Sequence, residues 1–160
     1  MNANSQSVCD LEKLLDHTGW RILQELQADA RLSMAELGRR VGLSAPAVAE
    51  RVRKLEDAKI IAGYHACVIP RRVGRPVLAF IRISASGAVK ANVEAMIQKT
   101  PEVLEAHRGT GSDCFILKVA VEDVAHLERV TDRFMRFGQL TTSVVMSSPL
   151  ESRVLEPLKR

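Results

Sequence analysis

The sequence predicts an α+β chain in which an N-terminal winged-type helix-turn-helix domain is joined to a C-terminal ferredoxin-like βαββαβ domain. Three observations carry this reading. Apolar residues recur at intervals of three and four through the first 60 residues, the signature of amphipathic helices. A run holding Pro70, Gly74 and three arginines then interrupts the pattern between Tyr64 and Arg75. Beyond it, strand-like and helix-like stretches alternate to the end of the chain.

Each helix of the first part has a chemical start signal. Trp20, Leu23 and Leu26 share one face, and Asp16 stands where an N-cap acceptor is needed. Met34, Leu37 and Val41 form the second stripe, opened by Ser33 with Glu36 in a capping-box spacing. Val48, Val52 and Leu55 form the third, opened by Ser44 with Pro46 in the first turn. Only Gly42-Leu43-Ser44 separates the second helix from the third, so glycine must end one helix and the two must cross steeply.

The expected division is a helix-turn-helix domain over 1–63, a linker over 64–76 and a ferredoxin-like domain over 77–160. In the last of these the pattern predicts strand 77–84, helix 88–99, strand 103–109, strand 114–121, helix 124–137 and strand 141–147. Val89, Val93, Met96 and Ile97 on the first helix, and Val124, Leu127, Val130 and Phe134 on the second, are expected to cover one face of the sheet. The strands are apolar on both sides, since Leu78 and Phe80 alternate with Val77, Ala79 and Ile81. The second face therefore calls for a cover, and an identical subunit is the economical one. The tail 151–160 can add an edge strand through Val154 and Leu155.

Composition narrows the function classes. With 160 residues and 46% hydrophobic content the chain can bury a core. Met1 to Ser7 lacks the apolar region of a secretion signal, and the apolar stretch Val77 to Ile83 is too short to span a bilayer, so a cytoplasmic protein with no membrane partner is expected. Cys9, Cys67 and Cys114 are widely spaced, and His17, His65, His107 and His126 fall at no ligand spacing, which argues against a disulfide framework or a metal site. No G-x-S-x-G, Walker or H-E-x-x-H motif occurs, and Gly109-Thr110-Gly111 lacks the third glycine of a dinucleotide fingerprint. Neither an enzyme nor a resident cofactor is expected.

Charge placement points to a partner. Between Arg39 and Lys54 stand Arg39, Arg40, Arg51, Arg53 and Lys54 against Glu50 alone, five minus one or +4, whereas Met1 to Asp29 carries five acids against two bases, or −3. With Val48, Val52 and Leu55 turned inward, about 100° per residue puts Pro46, Glu50, Arg53 and Lys54 on the opposite side of the third helix, with Ala49 on its flank. Ser44, Ala45 and Pro46 are small enough to let the backbone approach a phosphate or base edge. Arg53 suits guanine O6 and N7 and Glu50 suits cytosine N4; Arg39, Arg40, Arg51 and Lys54 are better placed for phosphates. A solvated charged face is the plain alternative, but the spacing, the tight turn and the local charge together favour duplex DNA.

The run from Trp20 to Arg31, the segment Ala35-Glu36-Leu37-Gly38-Arg39-Arg40-Val41-Gly42-Leu43-Ser44, the stretch Glu50 to Glu56 and Ile60-Ile61-Ala62-Gly63-Tyr64 together resemble the Lrp/AsnC family of feast/famine regulators. The likeness continues through the βαββαβ pattern and covers nearly the whole chain. It implies a transcription regulator whose C-terminal domain binds a small effector, usually an amino acid, and assembles as dimers and often octamers. One departure falls at Lys59, where the family commonly has glycine; lysine there costs some left-handed strain and adds a phosphate-reaching charge.

The hairpin Gly109-Thr110-Gly111-Ser112-Asp113-Cys114 can be read in two ways. Its glycines can simply satisfy turn geometry. Alternatively, the backbone N–H groups of Gly111 and Ser112 can hold a carboxylate and Asp113 an ammonium, provided another subunit closes the site. The resemblance favours the second, since the family places its effector between subunits at a G-x-x-D hairpin. Counted from Gly111 the aspartate position falls on Cys114, with Asp113 one residue earlier. Thr141, Thr142 and Ser143 match the polar segment that lines the same pocket in the family. An architectural DNA-packaging protein whose C-terminal domain only oligomerises is the competing reading.

Overall fold

The computed structural model describes residues 11–85, 89–111 and 114–158. By internal contacts these divide into a helical unit, 11–66 with 150–158, and a sheet unit, 67–149. Contacts thus group 150–158 with the helices and divide the expected 64–76 linker between 66 and 67.

In the helical unit, α1 (His17–Ala28), α2 (Met34–Val41) and α3 (Ala45–Asp57) start where the capping residues demand. Asp16 accepts from the Gly19 N–H at 2.7 Å, Ser33 from the Glu36 N–H at 3.1 Å and Ser44 from the Ala47 N–H at 3.4 Å. Gly42 ends α2 at φ 77°, a left-handed conformation that glycine adopts without steric cost. At Gly19 a β-carbon would collide with the Leu14 carbonyl, so only glycine lets the chain before α1 fold back on it.

Ile22, Leu23 and Leu26 of α1, Leu37 and Val41 of α2, and Val48, Val52 and Leu55 of α3 form one buried cluster, against which Trp20, Met34 and Leu43 pack partly covered. After α3, 60–69 carries no sheet pairing among the described residues, in keeping with the linker expected from 64 onward. A solitary extended segment has no ladder to join within one chain. The tail likewise forms no edge strand over its described residues, 150–158. Its Leu155 backbone is met instead by the Gln27 amide, which donates to the carbonyl at 3.2 Å and accepts from the N–H at 2.9 Å.

The sheet unit opens with a 3-10 turn, Pro70–Val73, and continues as β1 (Val77–Ser84), α4 (Lys90–Gln98), β2 (Val103–Arg108), β3 (Phe115–Val121), α5 (Val124–Met135) and β4 (Gln139–Val144). The order β2-β3-β1-β4 with every pair antiparallel is the ferredoxin-like arrangement. Ala79, Ile81, Ile83, Phe115, Leu117, Val119 and Val121 meet Val93, Leu127, Val130 and Phe134 in the core, with Val89, Met96 and Ile97 packed at its edge. Val124 departs from expectation: it opens α5 beyond this contact and is exposed. Predicted position 88, at the start of the first of these helices, lies outside the described residues.

Glu102 sits buried at the approach to β2, where His126 Nε2 lies 3.0 Å from one carboxylate oxygen and Arg133 donates to the other at 3.2 Å. Burial opposes its ionisation, but the two α5 partners outweigh that and hold the carboxyl below its ordinary value. The pairing fastens α5 to the edge of the sheet.

Candidate nucleic-acid interface and sensing hairpin

On α3 burial separates two faces. Val48, Val52 and Leu55 are at most 5% exposed, whereas Pro46, Glu50, Arg53 and Lys54 face solvent with Ala49 half-covered beside them. Ser44 is committed to its cap, and Ala45 lies half-buried in the first turn. The residues predicted to face outward thus form one continuous exposed side of the helix.

The cations on and around it are engaged by carboxylates of the same unit. Arg53 donates through Nε and Nη2 to both Glu50 oxygens, at 3.1 and 2.9 Å, and through Nη1 to Asp57 at 3.0 Å. Lys54 Nζ lies 3.5 Å from Glu50, whose carboxyl the Arg53 hydrogen bonds hold below its usual range. Arg53 and Lys54 remain more than half exposed, and solvent-screened pairs of this kind are weak, so a phosphate or a base edge can displace the acid. Arg39 contacts Glu36 while its side chain stays 77% exposed, leaving it similarly available.

Arg40 and Arg51, also expected at phosphates, are paired with acids of other segments. Arg40 joins Glu25 of α1 and Glu36 of α2, each at 2.8 Å, and its carbonyl accepts from Arg21. Arg51 forms a two-pronged bridge to Asp16, 2.8 and 2.7 Å long, across 35 residues of sequence. Both arginines link helices to one another. Asp16 is the residue that sequence reasoning undervalued, because it caps α1 and anchors α3 at once; its only sequence signal is the capping position. The Arg51 bridge, aided by the Gly19 N–H, lowers its pKa from 3.8 to about 2 despite some burial.

On the sheet unit, register sorts the predicted effector residues. Arg82 of β1 lies opposite Ile116 and Thr141, and Ile116 opposite His107, so these four form one row across the face away from the helices. The next row runs Glu105, Lys118, Phe80 and Ser143. Thr142 pairs with the core residue Ile81 and therefore belongs to the opposite face, apart from Thr141 and Ser143. Cys114 closes the hairpin base: its N–H donates to Ile83, its carbonyl accepts from Gly109, and its thiol donates to the Ala85 carbonyl at 3.1 Å. That side chain is spent on the helix side. Gly111 stands exposed at φ 104°, and Ser112 and Asp113 lie outside the described residues.

Since Arg108 pairs with Phe115 and Gln139 with Ser84, the hairpin and the beginning of β4 occupy the same end of the sheet. Clefts of about 400 and 210 Å³ flank α4, the first lined by Met96, Lys99, Arg136 and Phe137 and the second by Glu94, His107, Arg108 and Phe115. Neither includes Gly111, Cys114, Thr141 or Ser143.

Residues 15–56 match the AsnC-type helix-turn-helix domain, and 78–155 match the Lrp/AsnC ligand binding domain. The HTH-type transcriptional regulator YezC of Bacillus subtilis is 42% identical over 134 residues, covering 84% of this chain and 95% of that protein. The leucine-responsive regulatory protein of Salmonella typhimurium is 40% identical over 150 residues, covering 89% and 92%. Among solved structures, Bacillus subtilis LrpC superposes with a TM-score of 0.82 at 33% identity, covering 86% of this chain and 99% of that one. A Neisseria meningitidis transcriptional regulator in complex with L-Met gives 0.83 at 31%, covering 88% and 96%.

The double use of Asp16 is testable. A carboxyl whose folded pKa is depressed adds stability that is fully present above its unfolded value near 3.8 and is lost as pH falls towards about 2. Asp16→Asn keeps a cap acceptor and removes the charge, so it is expected to cost up to about 1 kcal/mol at neutral pH. In urea melts the gap between parent and variant should close as pH drops through this window; a gap that persists unchanged would reduce Asp16 to a cap alone.

Proposed function

We propose that this chain, which belongs to the Lrp/AsnC family of DNA-binding transcriptional regulators, reads its operator with the exposed face of α3 and answers to an amino acid bound at the 109–114 hairpin. The observation that carries the first half is the sorting of α3, with Val48, Val52 and Leu55 inside and Pro46, Glu50, Arg53 and Lys54 outside. A helix sorted in this way presents small residues and charge to a major groove. Arg53 donates to guanine O6 and N7, Glu50 accepts from cytosine N4, and Arg39 and Lys54 meet phosphates. Arg40 and Arg51 act by holding α1, α2 and α3 in register.

The active species is a homodimer. Phe80 and Ile116, 38% and 36% exposed, lie on the sheet face away from the helices with Leu78 half-covered beside them, and a second copy of that face would remove them from water. Two protomers then place their α3 helices in successive major grooves about 34 Å apart on a pseudo-palindromic site. Assembly of four such dimers into an octamer is the family's larger form and the one we infer here.

Support for an amino-acid effector comes from the ligand-binding domain match, from the leucine-responsive name of one relative and from the L-Met complex of another. Gly111, Ser112, Asp113 and the open-face hydroxyls Thr141 and Ser143 are the candidate contacts, with the partner subunit closing the site. Binding there changes the relative placement of the protomers and hence the fit of two α3 helices to DNA.

Arg53→Ala is expected to weaken operator binding by roughly 1 to 3 kcal/mol and to relax preference at one base position. Lys54→Ala should weaken all sequences alike and flatten the salt dependence; gel-shift titrations at several salt concentrations separate the two. Unchanged operator affinity in Arg53→Ala would remove that residue from base readout. Thermal-shift screening against the twenty amino acids is expected to raise Tm for one or a few of them. Silence at millimolar concentrations of all of them would favour a purely architectural role.

A further inference from the structure

Among the described residues Lys59 is the single non-glycine at positive φ, at 57°. Glycine occupies the other such positions, including Gly42, Gly74 and Gly111. The conformation is enforced by the end of α3: the Lys59 N–H donates to Glu56, while those of Ile60 and Ile61 both donate to the Leu55 carbonyl, at 2.9 and 3.1 Å. These bonds double the chain back over the last helical turn and leave a lysine β-carbon where glycine fits without strain.

Its charge is also unlike its neighbours'. From α2 to this turn the basic residues are Arg39, Arg40, Arg51, Arg53, Lys54 and Lys59. The first five are held by Glu36, Glu25, Asp16, Glu50 and Asp57. Lys59 is exposed and has no ion pair among the described residues, although it follows Asp57 by only two positions. A cation beside the helix C-terminus gains something from the dipole, but that attraction is smaller than the strain of a left-handed β-branch-free side chain with a β-carbon. Local stability therefore does not account for a lysine here, and retained strain is characteristic of functional positions.

We propose that Lys59 is a DNA-phosphate contact, a cation at the trailing end of the reading helix that, among the described residues, reaches the duplex without first leaving an acid. A compact, rotatable ammonium suits a phosphate as a point charge and is poorly suited to reading a base. The inference rests on α3 lying against DNA, and it extends the footprint beyond the helix end to the turn that follows.

The full-length protein is titrated onto a labelled mixed-sequence duplex over a range of salt, with Tm measured in parallel. Lys59→Gly is expected to raise Tm by roughly a few degrees as the strain is released. The same variant should bind DNA about fivefold to tenfold more weakly at low salt, with a log–log salt slope shallower by about 0.9 per protomer. Lys59→Gln, which keeps the β-carbon and loses the charge, should weaken binding to the same extent without the gain in Tm, and Lys59→Arg should bind as the parent does. Parent-like affinity and slope in both Lys59→Gly and Lys59→Gln would overturn the proposal. If Lys54→Ala weakens binding in that same series, the failure belongs to Lys59 alone; a parent protein that ignores the duplex would remove both readings.

Discussion

The burial of Val48, Val52 and Leu55 against Ile22, Leu26 and Leu37 decides which side of α3 the rest of the world meets. Each fully buried side chain of this size contributes roughly 1.5 to 3 kcal/mol, whereas the solvent-screened ion pairs on the outer side contribute little. The apolar stripe therefore fixes the rotation of the helix about its axis, and the charges follow. Rolling α3 by half a turn would immerse Glu50, Arg53 and Lys54 in an apolar interior, at a cost that no surface pairing offsets.

The cations then divide by what their partners leave them able to do. Arg40 and Arg51 bridge elements distant in sequence, and removing either would disturb how the three helices meet. Arg53 and Lys54 are paired within about one turn of their own helix and stay largely exposed. A count of arginines in the sequence cannot make this distinction, because it depends on Asp16 and Glu25, which lie in a different helix segment altogether. The local excess of positive charge is accordingly smaller in the folded unit than along the chain.

The features of the fold that depend on neighbours in sequence were legible from it. Asp16, Ser33 and Ser44 cap where their spacing to the apolar stripes says they must, Gly42 takes the left-handed turn, and β1 occupies 77–84 as predicted. What depended on partners far along the chain was not. Thr142 is separated from Thr141 and Ser143 because strand alternation puts it opposite Ile81. Val124 is exposed because α5 begins beyond the edge of the contact it was expected to join. Cys114 faces the core because the hairpin closes one residue before β3, and the tail groups with the helices through Gln27, a contact with no periodic signal. The candidate effector residues stayed the least legible, since strand register separates them and the clefts beside α4 include neither Gly111 nor Thr141.

Both halves of the account meet in the claim that the outer side of α3 lies in the major groove. Methylation interference at guanine N7 on a bound promoter fragment tests this directly, because that atom lies in the major groove. Interfering guanines are expected in two clusters about one helical turn apart, with loss of the effect at one position of each cluster in Arg53→Ala. Tight binding with no interference at any guanine N7, or with protection confined to the minor groove, would contradict it.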